Sequence, residues 1–307
     1  MIVDIDDPGP VPERILVDAT LVGRLIATQF PQWAALPVAP VAAQGWDNQT
    51  FRLGDTMLVR LPTAAEYALA VAKEQRWLPV LAPHLPLPVP VPLGQGRPDD
   101  GFPHPWSVYR WIDGAPATAA SIADPGAFAL ALADFLSALQ RVDPAGGPEP
   151  GVHNWFRGGP LQTWNAQMLE AIEDLGDSAL RDDILRVWSE ALDAEWDGRA
   201  VWVHGDIAAG NLLVEDGALS AVIDFGTCGV GDPACDLAIA WTLLTGSSRA
   251  AFRDRLRVAP AMWARGRGWA LWKATVAYAD AISEHDDDET VRAESVLSEI
   301  LGFTTAH

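Results

Sequence analysis

The run Val203-His204-Gly205-Asp206-Ile207-Ala208-Ala209-Gly210-Asn211-Leu212-Leu213-Val214 limits the possible folds more than any other part of the chain. Short apolar runs flank its centre, Val201-Trp202-Val203 before and Leu212-Leu213-Val214 after. A strand therefore ends, an Asp sits on a loop, an Asn follows, and a strand resumes. A third run, Leu219-Ser220-Ala221-Val222-Ile223, ends in Asp224-Phe225-Gly226. Two carboxylates and one amide then lie on neighbouring loops. These are hard oxygen donors of the kind Mg2+ prefers, with room for water and phosphate oxygens. In phosphoryl transfer the metal neutralises phosphate charge and an Asp orients the attacking hydroxyl. His-Gly-Asp alone is weak, and so is Asp-Phe-Gly alone. Their order and spacing together are specific, against the alternative of two acidic turns in a β-hairpin.

The surroundings divide into two parts. Residues 13–29 carry helical spacing. Val41 to Leu61 reads as a hairpin, with a first strand at Val41-Ala42-Ala43-Gln44 and a turn at Gly45-Trp46-Asp47-Asn48. The spacing predicts a helix over 64–81. Pro86, Pro88, Pro90 and Pro92 exclude a central strand at all those positions. Trp106 to Ile112 is again β-rich. Beyond Asp124 helices dominate, at 125–141, 160–175, 178–196, 233–245, 249–257, 260–284 and 288–302. The expected architecture is α+β: a small antiparallel β-sheet lobe over 1–112 and a larger, mainly helical lobe over 113–307.

Bulk properties narrow the partners. The formal net charge is −20, which repels nucleic acid and attracts a cationic substrate. No run of about 18 apolar residues suggests a membrane span. The acidic start Met1-Ile2-Val3-Asp4 is unlike a secretory signal, so a cytoplasmic location is expected. Cys228 and Cys235, the only cysteines, form neither a disulfide framework nor a zinc site. A monomer and a homodimer are equally compatible with the sequence.

His204-Gly-Asp-Ile-Ala-Ala-Gly-Asn211 resembles the catalytic loop of the aminoglycoside phosphotransferase family, the antibiotic-kinase branch of the protein-kinase-like fold. Asp224-Phe-Gly is similar to that family's metal-binding motif, and Gly229-Val-Gly-Asp-Pro-Ala-Cys-Asp-Leu-Ala238 to the segment that follows it. The similarity spans nearly the whole chain and is weakest over 113–200 and at the end. The resemblance implies a bilobal kinase fold. Asp206 would accept or orient the substrate hydroxyl, Asn211 and Asp224 would ligate Mg2+ bound to ATP or GTP, and His204 would brace the loop. Asp232 can cap the helix opening at Pro233. Asp236 could bond back to the loop. The implied acceptor is an aminoglycoside or related antibiotic. Choline, homoserine, a sugar or a macrolide are alternatives, and so is a non-catalytic nucleotide-binding protein.

Two features depart from the family pattern. The third strand carries Arg60 where a kinase has lysine; its expected partner is Glu74, ahead of Glu66. Arginine stays charged and can grip phosphate bidentately. Lys73 and Lys273 are the only lysines, and Lys73 is not a credible substitute on the strand. A Gly-x-Gly-x-x-Gly loop is missing, leaving Asn48 or Thr50 beside backbone N–H groups to hold phosphate. Arg110, Trp111 and Ile112 are the candidate hinge for the base. Among fourteen tryptophans, Trp155, Trp241 and Trp272 are candidates for stacking on a substrate, against ordinary core packing. Asp280 and Glu284 could hold ammonium groups or merely be solvated. His153-Asn154-Trp155-Phe156-Arg157-Gly158-Gly159 is a polar loop with no assigned role.

Overall fold

The computed structural model describes residues 12–302 apart from 43, 100 and 177. Strands β1 (Val38–Pro40), β2 (Asn48–Leu53), β3 (Met57–Pro62), β4 (Pro92–Gly96) and β5 (Trp106–Arg110) form an antiparallel sheet in the order β1-β2-β3-β5-β4. Alternation in β2 and β3 sends Phe51, Leu53, Met57, Val59 and Leu61 to one face. There they meet Val22, Leu25 and Ile26 of helix α1 (Ala19–Gln29). Helix α2 (Ala65–Leu81) packs against the sheet through β3, β4 and β5. Pro92 opens an edge strand, where a missing N–H is tolerated.

Two N-terminal boundaries differ from the sequence reading. The helix expected over 13–29 begins at Ala19, because the residues before it are drawn onto the sheet. The Ile15 N–H donates to the Thr63 carbonyl at 2.7 Å and the Val17 N–H to Gln49 Oε1 at 2.6 Å. Asp18 then caps the helix by accepting from the Leu21 N–H. The strand expected at 41–44 lies instead at Val38–Pro40. Gln44 folds back, its side chain accepting from the Thr50 N–H and donating to the Thr50 carbonyl. Ala43 lies outside the described residues.

The second part is built around α8 (Pro260–Glu284), which packs on α4 (Asn165–Asp174), α5 (Arg181–Leu192) and α9 (Asp287–Leu301). Helices α3 (Pro125–Leu139) and α7 (Gly246–Leu256) pack on each other beside it. Two small sheets lie between the helices and the first sheet. One orders β6 (Ala115–Pro116), β8 (Leu212–Glu215) and β9 (Ala218–Val222); the other pairs β7 (Val201–Val203) with β10 (Gly229–Gly231). The helix expected over 233–245 is a 3-10 segment, Pro233–Leu237, followed by the short α6 (Ile239–Thr242). Asp232 caps that segment by accepting from the Ala234 N–H. It also receives Arg265 of α8, Nε to Oδ2 at 2.6 Å and Nη2 to Oδ1 at 3.1 Å. This buried pair ties α8 to the chain leaving β10. Among the described residues no helix is long and apolar enough to cross a membrane.

Candidate active site

Strand β7 delivers His204 into a fully buried position. Asp236, also fully buried, accepts from the His204 N–H at 2.9 Å and from the Gly205 N–H at 2.7 Å. The His204 ring bridges onward. Nε2 lies 3.0 Å from the Ile223 carbonyl, and Nδ1 lies 3.2 Å from the Asp206 amide. Both contacts are satisfied when Nε2 carries the proton and Nδ1 accepts. One ring thus joins the loop after β7 to the strand that ends at Asp224. Gly205 is required: its φ is +85°, and an added Cβ would stand 2.5 Å from the Thr227 carbonyl oxygen and 2.9 Å from Cβ of Arg157.

The Asp206 carboxylate has two distinct sides. Oδ2 accepts from Asn211 Nδ2 at 3.0 Å, and the same amide donates to the Asp206 carbonyl at 2.9 Å. Oδ1 accepts from Lys273 Nζ of α8. Burial disfavours the charge on Asp206, but Lys273 and then Arg157 outweigh it and hold the carboxyl well below the usual carboxylate range. Burial likewise pulls Lys273 below the ordinary lysine value, with Asp206 opposing.

Asp224, which follows the Ile223 that the His204 ring contacts, lies in the left-handed region at φ +64° and ψ +71°. A non-glycine residue there is uncommon and clusters at functional sites. Its Oδ1 accepts from Arg60 Nη2 at 2.7 Å, while Arg60 Nη1 lies 3.5 Å from Glu74 Oε1. Tyr109 Oη donates to Glu74 Oε2 at 2.8 Å. The expected Arg60–Glu74 pair is therefore present and is shared with Asp224. Burial works against the Arg60 charge, but Asp224 and Glu74 raise its pKa above the usual arginine value. Lys73 points elsewhere, donating to the carbonyls of Gly226 at 2.7 Å and His153 at 3.1 Å. It tethers α2 to the loop following Asp224.

The remaining predicted groups lie on β2, at the end of β5 and just beyond it. Asn48 and Thr50 lie on β2, not in a turn, and Thr50 is the register partner of Arg60. Asp47, just before them, is pushed up to about 6 by burial first and then by Asp224, with Arg60 opposing. At the other end, the Arg110 N–H donates to the Val91 carbonyl and the Trp111 N–H to the Thr56 carbonyl. Arg52 stacks 3.7 Å above the Trp111 ring. Among the described residues no main-chain carbonyl takes the Ile112 N–H.

A sequence model of the phosphotransferase enzyme family matches residues 38–269. The chain belongs to that family. Solved structures agree on the fold. The GDP complex of wild-type aminoglycoside 2'-phosphotransferase-IIIa superposes with a TM-score of 0.69 at 17% identity, covering 93% of this chain and 99% of that one. The streptomycin–ATP ternary complex of APH(2'')-IIa gives 0.60 at 18% identity, covering 94% and 98%. Macrolide 2'-phosphotransferase MphH from Brachybacterium faecium gives 0.60 at 21% identity, covering 94% and 99%. No curated protein sequence matches the chain. The loop after β7 and the loop after β9 meet where Thr227 Oγ1 donates to the His204 carbonyl at 3.0 Å.

The expected substrate residues are scattered. Trp241 is buried at 5% exposure against Trp263, with ring centroids 4.4 Å apart, so it is a core residue and not a stacking platform. Trp272 is buried too, donating through Nε1 to Gln167. Trp155 packs on Tyr67 of α2. Asp280 and Glu284 are exposed on α8. Burial first, then Glu284 and Asp174, raises the Asp280 pKa. Three residues at the site escaped the sequence reading: Lys273, Arg157 and Asp47. Each had a signal: Arg157 lies in the polar loop 153–159, Asp47 in the turn before β2, and Lys273 seven and eleven residues before Asp280 and Glu284, a spacing that puts these last three on one helix face.

Proposed function

We propose that this chain is a small-molecule kinase that transfers the γ-phosphoryl group of ATP or GTP to a hydroxyl. The single observation that carries this reading is the pairing of Asp206 with Asn211 on a loop that the His204 ring ties to the residue before Asp224, with Asp224 paired to an Arg60 that also meets Glu74. Residues 1–112 are read as the nucleotide lobe and 113–307 as the catalytic and acceptor lobe. GDP and ATP occur in the structures of related enzymes, which supports a nucleotide co-substrate.

Asp206 is the proposed catalytic residue. Held ionised, it orients the acceptor hydroxyl and takes its proton as the oxygen bonds to the γ-phosphorus and the bond to the β–γ bridging oxygen breaks. Asn211 turns its Nδ2 toward Asp206, which leaves Oδ1 for a metal, and Asp224 supplies a carboxylate. These hard donors suit Mg2+, which takes its other ligands from water and phosphate. When bound, Mg2+ neutralises phosphate charge. Arg60 exchanges Asp224 for the α- and β-phosphates while staying near Glu74. The base is read as meeting the backbone of Arg110 to Ile112. His204, Asp232 and Asp236 hold the loop and its neighbours in place.

The relatives' names point to aminoglycosides and macrolides as acceptors, and the exposed Asp280 and Glu284 suit a cation. Lys273 and Arg157 beside Asp206 favour a different acceptor, a metabolite with an acidic group. Calorimetric titration of the nucleotide tests the reading. Mg-ATP or Mg-GTP should bind, and Asp224→Asn should lose most of the metal dependence. Absence of any metal-dependent binding would reject the proposal.

A further inference from the structure

Arg157 has no use in the reaction just described, yet two of its guanidinium nitrogens are buried. Its guanidinium lies 4.7 Å from the ring centre of Trp272, 5.4 Å from Trp269 and 5.6 Å from Trp164. Its Nε and Nη1 are sealed from solvent and have no hydrogen-bond partner among the described residues. The indole N–H groups of Trp164 and Trp269, in the same cage, are likewise buried and unpaired among the described residues. Three aromatic faces attract a cation but accept none of its in-plane hydrogen bonds. A cluster of unpaired buried donors is rare in a folded protein and calls for an acceptor.

The loop that presents Arg157 is built for close approach. Gly158 has φ +78°, and its carbonyl accepts from the Asp232 N–H at 2.7 Å. A Cβ on the facing Gly231 would stand 2.3 Å from the Gly158 oxygen. Cβ of Arg157 is thereby pressed against Gly205, the residue before Asp206. Lys273 follows Trp272 on α8 and binds Oδ1 of Asp206, the side turned away from Asn211. Lys273 thus pairs with Asp206, while Arg157, on the loop that meets Gly205, forms no ion pair among the described residues.

We propose that Arg157 and Lys273 form an anion subsite on the acceptor side of Asp206, and that the acceptor carries a carboxylate or phosphate close to the hydroxyl it presents. The assignment of the acceptor rests on the kinase reading; the subsite does not. An anion there pairs Arg157 and frees Lys273 to let go of Asp206, so that Oδ1 can receive the hydroxyl. Asp280 and Glu284 lie on the same face of α8, roughly 10 and 16 Å further along at 1.5 Å per residue. A cationic group would have to sit at that distance from the reacting hydroxyl.

The test uses the full-length protein saturated with Mg-AMP-PNP, so that the nucleotide's own phosphate site is filled. Calorimetric titrations compare inorganic phosphate and D-gluconate with sorbitol, which has no charge, and with kanamycin. At least one of the two anions should bind, and sorbitol and kanamycin should not. Arg157→Met and Lys273→Met should each weaken anion binding at least tenfold, with Arg157→Lys recovering part of it. Lys273→Met carries the test if Arg157→Met fails to fold by thermal melting. Failure of both anions to bind, or binding unchanged in both variants, overturns the proposal. So does a change confined to Mg-AMP-PNP affinity, which would assign Arg157 to the γ-phosphate. Arg157-dependent anion binding without phosphoryl transfer to any hydroxyl would instead reject the kinase reading and leave the subsite standing.

Discussion

Replacing Asp47 by Asn should make the ligand-free protein more stable at neutral pH. Asp47 is half-buried, and that burial together with the charge of Asp224 raises its pKa from 3.8 to about 6. At about 1.4 kcal/mol per pH unit, that rise costs the ionised native state roughly 3 kcal/mol. Below about pH 4 the carboxyl is protonated in both folded and unfolded chains, and the cost is absent. Between about 4 and 6 the unfolded chain gives up the proton while the folded chain keeps it, so stability falls as pH rises. Above about 6 the full cost applies. Asn cannot ionise, so the variant should match the wild type near pH 4 and exceed it by roughly 2–3 kcal/mol at pH 8. For a chain of this size that is a rise in Tm of roughly 4–8 °C. Calorimetric melting of both proteins with chelator, at pH 4 and pH 8, measures the difference. A variant no more stable than the wild type at pH 8, or a gain that does not vary with pH, would refute the reasoning.

Other substitutions follow from the same geometry. Arg60→Ala leaves Glu74 buried without its cation; nucleotide Kd should rise at least tenfold and stability should fall by roughly 3 kcal/mol, both read by titration and denaturation. Gly205→Ala forces a Cβ to within 2.5 Å of the Thr227 oxygen; urea unfolding should show a loss of about 2 kcal/mol or more. Trp241→Ala should cost about 3–5 kcal/mol as a core truncation while leaving the acceptor KM unchanged, as a residue packed on Trp263 and away from substrate requires.

Much of the site was legible because its signals are local. Short apolar runs on either side of the Asp206 loop and before Asp224 located β7, β8 and β9, whereas the bond between Asp206 and Asn211 went unforeseen because Asn211 was read only as a metal ligand. Glu74 followed from the kinase pattern, which asks for a Glu on the helix after the third strand and disfavours Glu66 at that helix's start. The strands β6 and β10 were invisible because Ala-Pro and Gly-Val-Gly carry no β pattern and pair only when a neighbour is supplied. The two cations at Asp206 were missed for the same physical reason. Lys273 comes from a helix 67 residues further on and Arg157 from a loop 49 residues earlier, and only tertiary packing brings them together. The tryptophans that surround Arg157 are as buried as the core residue Trp241, and only the neighbours that folding brings to them set the two groups apart.

The central claim is that Asp206 serves the transfer step and not nucleotide binding. Steady-state transfer from Mg-[γ-32P]ATP or Mg-[γ-32P]GTP to a panel of aminoglycoside, macrolide and hydroxy-acid acceptors tests it most directly, comparing wild type with Asp206→Ala. The account predicts labelled product with the wild type. In the variant kcat should fall by a factor on the order of 10^3, with the nucleotide Kd within a few-fold of the wild type. Full turnover in Asp206→Ala would contradict it.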